Sequence, residues 1–288
     1  MELLPQFILN SIVAGAVYTM IALGFTLIFS VTKFFNLAHG VLAAVGGYIV
    51  FYLAQIFSWP LTLSILVGVL GCAIVGYLLD RFIYGPLLQK KASSLILLVA
   101  SLGVFTVLQA MLAMIFTSQF RSLSVIVPYQ QVFKIFTGTI TGIQLITLIV
   151  GLVIAVALVL IQKKTQFGKS LVAISDDEEV SKIIGINTKK VISRTFIMGS
   201  AIAGLAGILV GLDTGIEPNM GLPLLLKGII AAIIGGLGNI YGAIVGAFLL
   251  GFVENFGIWK ISGEWKDAIA FGLLIVFLVF RPQGIFKT

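Results

Sequence analysis

The chain has 288 residues, 59% of them hydrophobic and only 10% charged, with a mean hydropathy of +1.16. A soluble domain keeps roughly a quarter of its residues charged, so a water-exposed globular fold is excluded and the class is an all-α polytopic membrane protein. The net charge of +7 fits basic residues retained in cytoplasmic loops, not a nucleic-acid surface, and a single cysteine, Cys72, leaves no intramolecular disulfide framework.

Eight apolar segments make one transmembrane domain over 1–288, near 7–29, 36–57, 61–80, 94–117, 142–162, 195–215, 224–256 and 262–280. The opening MELLPQ carries an acid and no Lys or Arg, and the apolar run after it exceeds an h-region, so it reads as a span and not a cleaved signal. The second segment, NLAHGVLAAVGGY over 36–48, has a polar start, an apolar series and then Gly46-Gly47. The seventh, PNMGLPLLLKGIIAAIIGGLGN over 218–239, repeats that order and reaches Gly235-Gly236. Paired glycine-interrupted segments are the trace of a transporter built on a structural repeat. Lipid does not satisfy the backbone groups a break frees. Asn36, His39, Gly46, Gly47, Asn219, Gly235, Gly236 and Asn239 are therefore expected to border a translocation path. The plainer account is two kinked helices, with Asn36 and His39 as caps.

Small residues recur every fourth position at Gly199, Ala203, Gly207 and Gly211, and again at Gly238, Gly242 and Gly246. On a helix such stripes admit close packing, and no substrate contact is assigned to them.

Between the fifth and sixth segments the composition changes. The window Lys163–Arg194 holds 11 of the 29 charged residues, with seven Lys and Arg. That density marks a cytoplasmic loop over 163–194, which puts Lys33 and 81–93 on the same side and the N-terminus outside. The C-terminus is undecided by charge. If 224–256 crosses once, Lys260 and Lys266 lie inside and Arg281 and Lys287 outside; if it dips and returns, the pairs exchange. If 36–57 and 224–256 are inverted copies, both cross and the C-terminus is outside. Within the loop, Ser175 followed by Glu178 has capping-box spacing, four acids from Asp176 to Glu179 suit a first turn, and Gly185 suits a stop. A helix over 176–184 results, with Val180, Ile183 and Ile184 on one side and a shorter helical stretch over 168–174 before it. So short a helix needs a packing partner in the cytoplasm, unless it packs on its own protein and the charges are only solvated.

Catalytic motifs fail on inspection. FGKS at 167–170 lacks the glycine that a phosphate-binding loop places five residues before Gly168; Lys163 stands there. His39 is the lone histidine, with no Cys, Asp or Glu nearby, so neither a metal site nor a cofactor nor an enzyme is expected. Asp80, Asp213, Lys227, Glu254 and Asp267 fall near span ends, which disfavours an ion relay at the midplane and turns attention back to the loop.

FGKSLVAISDDEEVSKIIGIN resembles the ATPase-docking loop of LivH-type permeases, of the branched-chain amino acid ABC transporter family. NLAHG at 36–40 is similar to that family's Asn-Phe-Ala-His-Gly signature, with Leu37 in place of Phe. MGL at 220–222, AAIIGGLGNIYGAIVGAFLLG at 231–251 and FRPQG at 280–284 also fit, and the spacing agrees from end to end. One departure is Val180-Ser181 where the family commonly has Ala-Ala. The resemblance implies a multi-pass permease subunit in a bacterial inner membrane, paired with a second, related permease, two cytoplasmic ATPases and an external solute-binding protein. It assigns ATPase docking to Gly168, Ala173, Ser175, Asp177, Glu178, Val180, Ser181, Ile184, Gly185 and Ile186. The solute it implies is leucine, isoleucine or valine, with other amino acids, urea or short amides in related systems. The helix starts at His39-Gly40 and Met220-Gly221 present dipoles suited to a carboxylate. The alternative is an ion-coupled carrier or channel, which needs no ATPase.

Overall fold

Helices that are apolar on every side have no use for a single wet face and are stable only among lipid and one another. The computed structural model describes residues 4–123, 131–135, 137–259 and 262–286, and such helices dominate it. In chain order they are α1 (Leu4–Thr32), α2 (Ala38–Ile56), α3 (Leu61–Gln89), α4 (Ser94–Phe116) and α5 (Gly142–Lys164), each long enough to span a membrane. Two short helices follow, α6 (Gln166–Asp176) and α7 (Glu178–Ile183). Then come α8 (Thr188–Thr214), α9 (Gly221–Gly235), α10 (Ile240–Gly257) and α11 (Lys266–Phe280). With α8 and α10, seven of the helices among the described residues are long and apolar enough to cross, while α9 is shorter.

The core lies along α1, α2 and α8. Met20, Ile21, Leu23, Leu42, Ala206 and Ile208 are buried there. By contrast α3, α4 and α5 expose Leu66, Leu70, Ile74, Val99 and Leu152, a surface that only lipid or another apolar partner tolerates. The glycine stripe on α8 packs helices, as its spacing suggests: a Cβ at Gly207 would collide with the backbone of Ala43 on α2. The second stripe is only partly helical, because Gly238 lies in a turn.

The segment 224–256 is not one helix. It is an antiparallel hairpin of α9 and α10, whose backbones touch at Gly235 and Gly242. The turn uses Gly236 at φ +113° and Gly238 at φ +88°, conformations that L side chains avoid. Asn239 then caps α10 by accepting from the Gly242 N–H at 3.0 Å. Gly238 sits beside Ser30 near the end of α1, so the hairpin tip lies on the face that carries α6 and α7, the loop face. The tail follows it there: Ile285 and Phe286 donate to the carbonyls of Ile234 and Gly235 at 2.9 and 3.0 Å, covering the open end of α9. The fold therefore decides what charge did not. The C-terminal residues, Arg281 included, lie on the loop face, contrary to the inverted-copy expectation. Lys260 and Lys287 fall outside the described residues.

The pair Gly46-Gly47 does not interrupt α2. The helix runs through both, with Gly46 against Gly204 and Gly47 against Ile216. The irregular backbone lies before α2, at 33–37, where Lys33 has φ +54°. On the opposite face a hairpin of β1 (Val132–Ile135) and β2 (Gly138–Thr141), paired Val132 to Thr141, was not foreseen. Gln6 near the start of α1 binds Thr139 there, and Phe7 meets Trp259 with ring centroids 5.8 Å apart.

Sidedness has a direct test. In a Cys72→Ala background, a cysteine at Ile183, 84% exposed, should react with an impermeant maleimide in inside-out vesicles and not in intact cells, because so basic a loop is retained inside. Labelling of intact cells would invert the topology.

Candidate functional site

The charged loop is held rigidly at its base and bare at its tip. Thr165 accepts from the Gly168 N–H at 3.0 Å and starts α6. Gly168 packs on the backbone of Ile161 and Gln162, so the turn from α5 into α6 has no room for a side chain. Leu171 and Ile174 on α6 are buried in the core. Ser175 belongs to α6, where it accepts from Lys33 at 3.3 Å, and does not form the expected capping box. Asp177, in extended backbone, is the cap of α7: it accepts from the Glu179 and Val180 N–H groups at 2.8 and 3.0 Å. The four acids do not share one first turn, since α6 runs to Asp176 and α7 begins at Glu178. The helix stops as expected at Gly185, with φ +89°.

Packing holds α7 in place, and its exposed charges add little. Lys182 pairs with Glu178 at 2.7 Å and Lys91 with Glu179 at 3.0 Å. The Glu179 carboxylate raises the Lys91 ammonium above its usual range, though so exposed a pair contributes little stability. Ser181 is buried and its carbonyl accepts from Ile186 at 3.0 Å. What remains outside is apolar. Val180, Ile183 and Ile184 are exposed, Ile183 most of all. Of the ten expected docking residues, Gly168 and Ser181 are buried, Ala173, Ser175, Glu178 and Ile186 are half-buried, and Asp177, Val180, Ile184 and Gly185 face out. Sequence reasoning placed Ile183 on the apolar side but left it out of the docking set. It also missed Lys33 and Lys91, which hold the loop from other elements and carry no local pattern.

The expected path residues lie in separate places. Asn36 is buried and accepts from Tyr84 at 3.1 Å, and His39 is fully buried with its ring against Gly24 of α1. Asn219 accepts from Gln109 at 2.5 Å. Asn239 is at the hairpin tip, lining a cleft of about 940 Å³ with Lys33, Gln162, Ser175 and Asp176. One approach joins the two halves: Gly40 and Gly221, near the starts of α2 and α9, pack backbone to backbone. Neither helix start has a side-chain cap. From that point α9 runs to the loop face and α2 to the opposite one.

Charged groups gather elsewhere. Lys227 on α9 lies 3.3 Å from Glu254 on α10 and 3.2 Å from Asp267 on α11. Tyr18 on α1 donates to Glu254 at 2.6 Å. Glu254 is fully buried. Among the described residues no three His, Cys, Asp or Glu side chains are grouped to hold a metal.

Comparison with known proteins adds to this geometry. Residues 7–278 match the family model described as the branched-chain amino acid transport system permease component. The chain is 30% identical over 292 residues to the high-affinity branched-chain amino acid transport system permease protein BraD of Pseudomonas aeruginosa, covering 97% of this chain and 94% of that protein. It is 31% identical to LivH of Escherichia coli K12, of the same description, with the same coverage. Among solved structures, PsaBC from Streptococcus pneumoniae in complex with Fab aligns with a TM-score of 0.55 at 13% identity, covering 96% of this chain and 93% of that one. That likeness speaks for the fold alone.

Proposed function

The chain belongs to the branched-chain amino acid transport system permease family, and from that membership we propose that it carries leucine, isoleucine or valine across a bacterial inner membrane. It is a multi-pass permease subunit of an ABC transport system, a family that works with ATPase and binding-protein partners. In our reading the partners are a second homologous permease, two cytoplasmic ATPases and an extracytoplasmic solute-binding protein. The observation that carries the reading is the tip of α7. Three large apolar side chains stand exposed at α7, whose Ser181 is buried and which follows directly on α6, itself set into the core by Leu171 and Ile174. A rigid apolar knob in water is suited to a partner's pocket.

The route for the solute is proposed to pass the meeting point of α2 and α9. Two uncapped helix N-termini converge there, and their dipoles favour an anionic group such as an amino acid's carboxylate. His39 on α2 and Asn36 just before it border that point, and Asn219 precedes α9. Asn239 marks the loop-face end, while Gly46, Gly47, Gly235 and Gly236 let the surrounding helices approach closely. Closure of the ATPases would bias the two conformations of the permease through α6 and α7.

Uptake of labelled leucine tests the substrate class. Cells lacking this chain should lose high-affinity leucine uptake, regain it with the wild-type chain, and show competition by isoleucine and valine. Undiminished uptake of all three, with loss of urea or amide uptake instead, would move the chain to another substrate within the same family.

A further inference from the structure

We propose that the cleft between the loop-face end of α3 and the start of α8 binds the anionic headgroup of a membrane phospholipid. The cleft measures about 1470 Å³ and is lined by Arg81, Lys91, Lys182, Lys189 and Lys190, against two acids, Asp80 and Glu178. Three of the cations already have partners. Lys91 pairs with Glu179, Lys182 pairs with Glu178, and Lys189 donates to Gln89 at 3.0 Å. Arg81 and Lys190 make no ion pair among the described residues. Gln89 is neutral and Asp80 offsets one of the remaining charges, so positive charge is still left over inside a concave site, and the ligand it calls for is an anion.

Depth says which anion. A helix rises about 1.5 Å per residue, so Arg81 lies about 30 Å below Leu61 at the other end of α3, one thickness of the hydrocarbon layer. That is the level of lipid phosphates. The wall above the cations is apolar as well: Tyr77 lines the cleft, and Leu78 and Phe82 on the same helix are exposed, Phe82 at 72%. Charge at headgroup depth beneath an apolar wall fits an amphiphile, with phosphate below and acyl chains along α3. A protein partner has its landing surface in the exposed apolar tip of α7, which meets the cleft only along the Glu178 and Lys182 side of that helix. The inference does not depend on which solute is carried or on ATPase docking.

The test uses the full-length chain in neutral detergent, titrated with phosphatidylglycerol, phosphatidylcholine or inorganic phosphate and read by native mass spectrometry. Phosphatidylglycerol should bind in preference to phosphatidylcholine. The Arg81→Gln/Lys190→Gln variant, altered at two exposed positions, should lose that affinity by about 30-fold, taking the usual worth of two surface cations near anionic lipid. The control Lys163→Gln/Lys164→Gln, another basic pair on the loop face, should bind as wild type does. Equal loss in the control would reduce the effect to general surface charge and overturn the site. Displacement of the lipid by millimolar inorganic phosphate would make it a free-anion site and overturn the lipid assignment. Unchanged lipid affinity in the cleft variant, with or without loss of a co-purifying ATPase, would overturn it too.

Discussion

Replacing Lys227 with alanine should destabilise the folded chain by about 3–5 kcal/mol, because it strips the countercharge from a carboxylate with no access to water. For a chain of this size that is a fall on the order of 10 °C in Tm. Glu254 is fully buried, with Lys227 3.3 Å away and the Tyr18 hydroxyl donating at 2.6 Å. The cluster joins α1, α9, α10 and α11, so its loss loosens the hairpin from both neighbours at once. The double variant Lys227→Met/Glu254→Leu should recover part of the loss, since an apolar pair of similar volume is often as stable as a buried ion pair, while the buried Tyr18 hydroxyl, left without its acceptor, takes back some of the gain. The measurement is thermal unfolding in detergent, followed by fluorescence-detected gel filtration. A Lys227→Ala chain that melts with the wild type would show that the cluster holds nothing together. So would a double variant less stable than the single one.

Ile183→Asp should do the opposite: leave the fold intact and abolish uptake. Ile183 is 84% exposed and touches no core residue that its loss would strand, so a folding effect within about 0.5 kcal/mol is expected. At a partner's pocket the same change removes an apolar anchor and buries a charge, a loss of 2 kcal/mol or more, which is roughly a 30-fold weaker complex. Membrane level and Tm should match wild type while ATP-driven leucine uptake falls to background. Normal uptake by a chain present in normal amounts would remove α7 from the coupling route.

Much of this arrangement is written in the sequence, and the failures have physical causes. Seven of the eight apolar segments correspond to single helices because hydropathy reports burial in lipid directly. The remaining one, 224–256, concealed a hairpin, because its turn, Gly236-Leu237-Gly238-Asn239, is too short to interrupt the hydropathy of the helices on either side. Its signals were length and the order Gly236, Gly238, Asn239, two glycines for φ above zero and then a cap. Gly46-Gly47 misled in the other direction. A glycine pair breaks a helix only when nothing supports it, and here Gly204 and Ile216 press against the pair and keep α2 whole. In the loop, Ser175 and Glu178 had the right spacing for a cap, but α6 runs on past Ser175 and Asp177 performs the capping. The Lys227, Glu254 and Asp267 cluster was read as three residues near span ends. Only tertiary packing brings α9, α10 and α11 together, and no local pattern announces it.

In the proposed transport cycle α7 hands the work of an ATPase to the membrane-spanning helices. The most direct measurement is purification of the tagged chain from native membranes under mild detergent, wild type beside Ile183→Asp, with the co-purifying subunits identified and counted. The wild type should bring down an ABC ATPase at one copy per permease subunit, and the variant should arrive without it at equal yield. A wild-type chain that carries no ATPase, yet sustains leucine uptake in vesicles energised only by an ion gradient, would contradict the account.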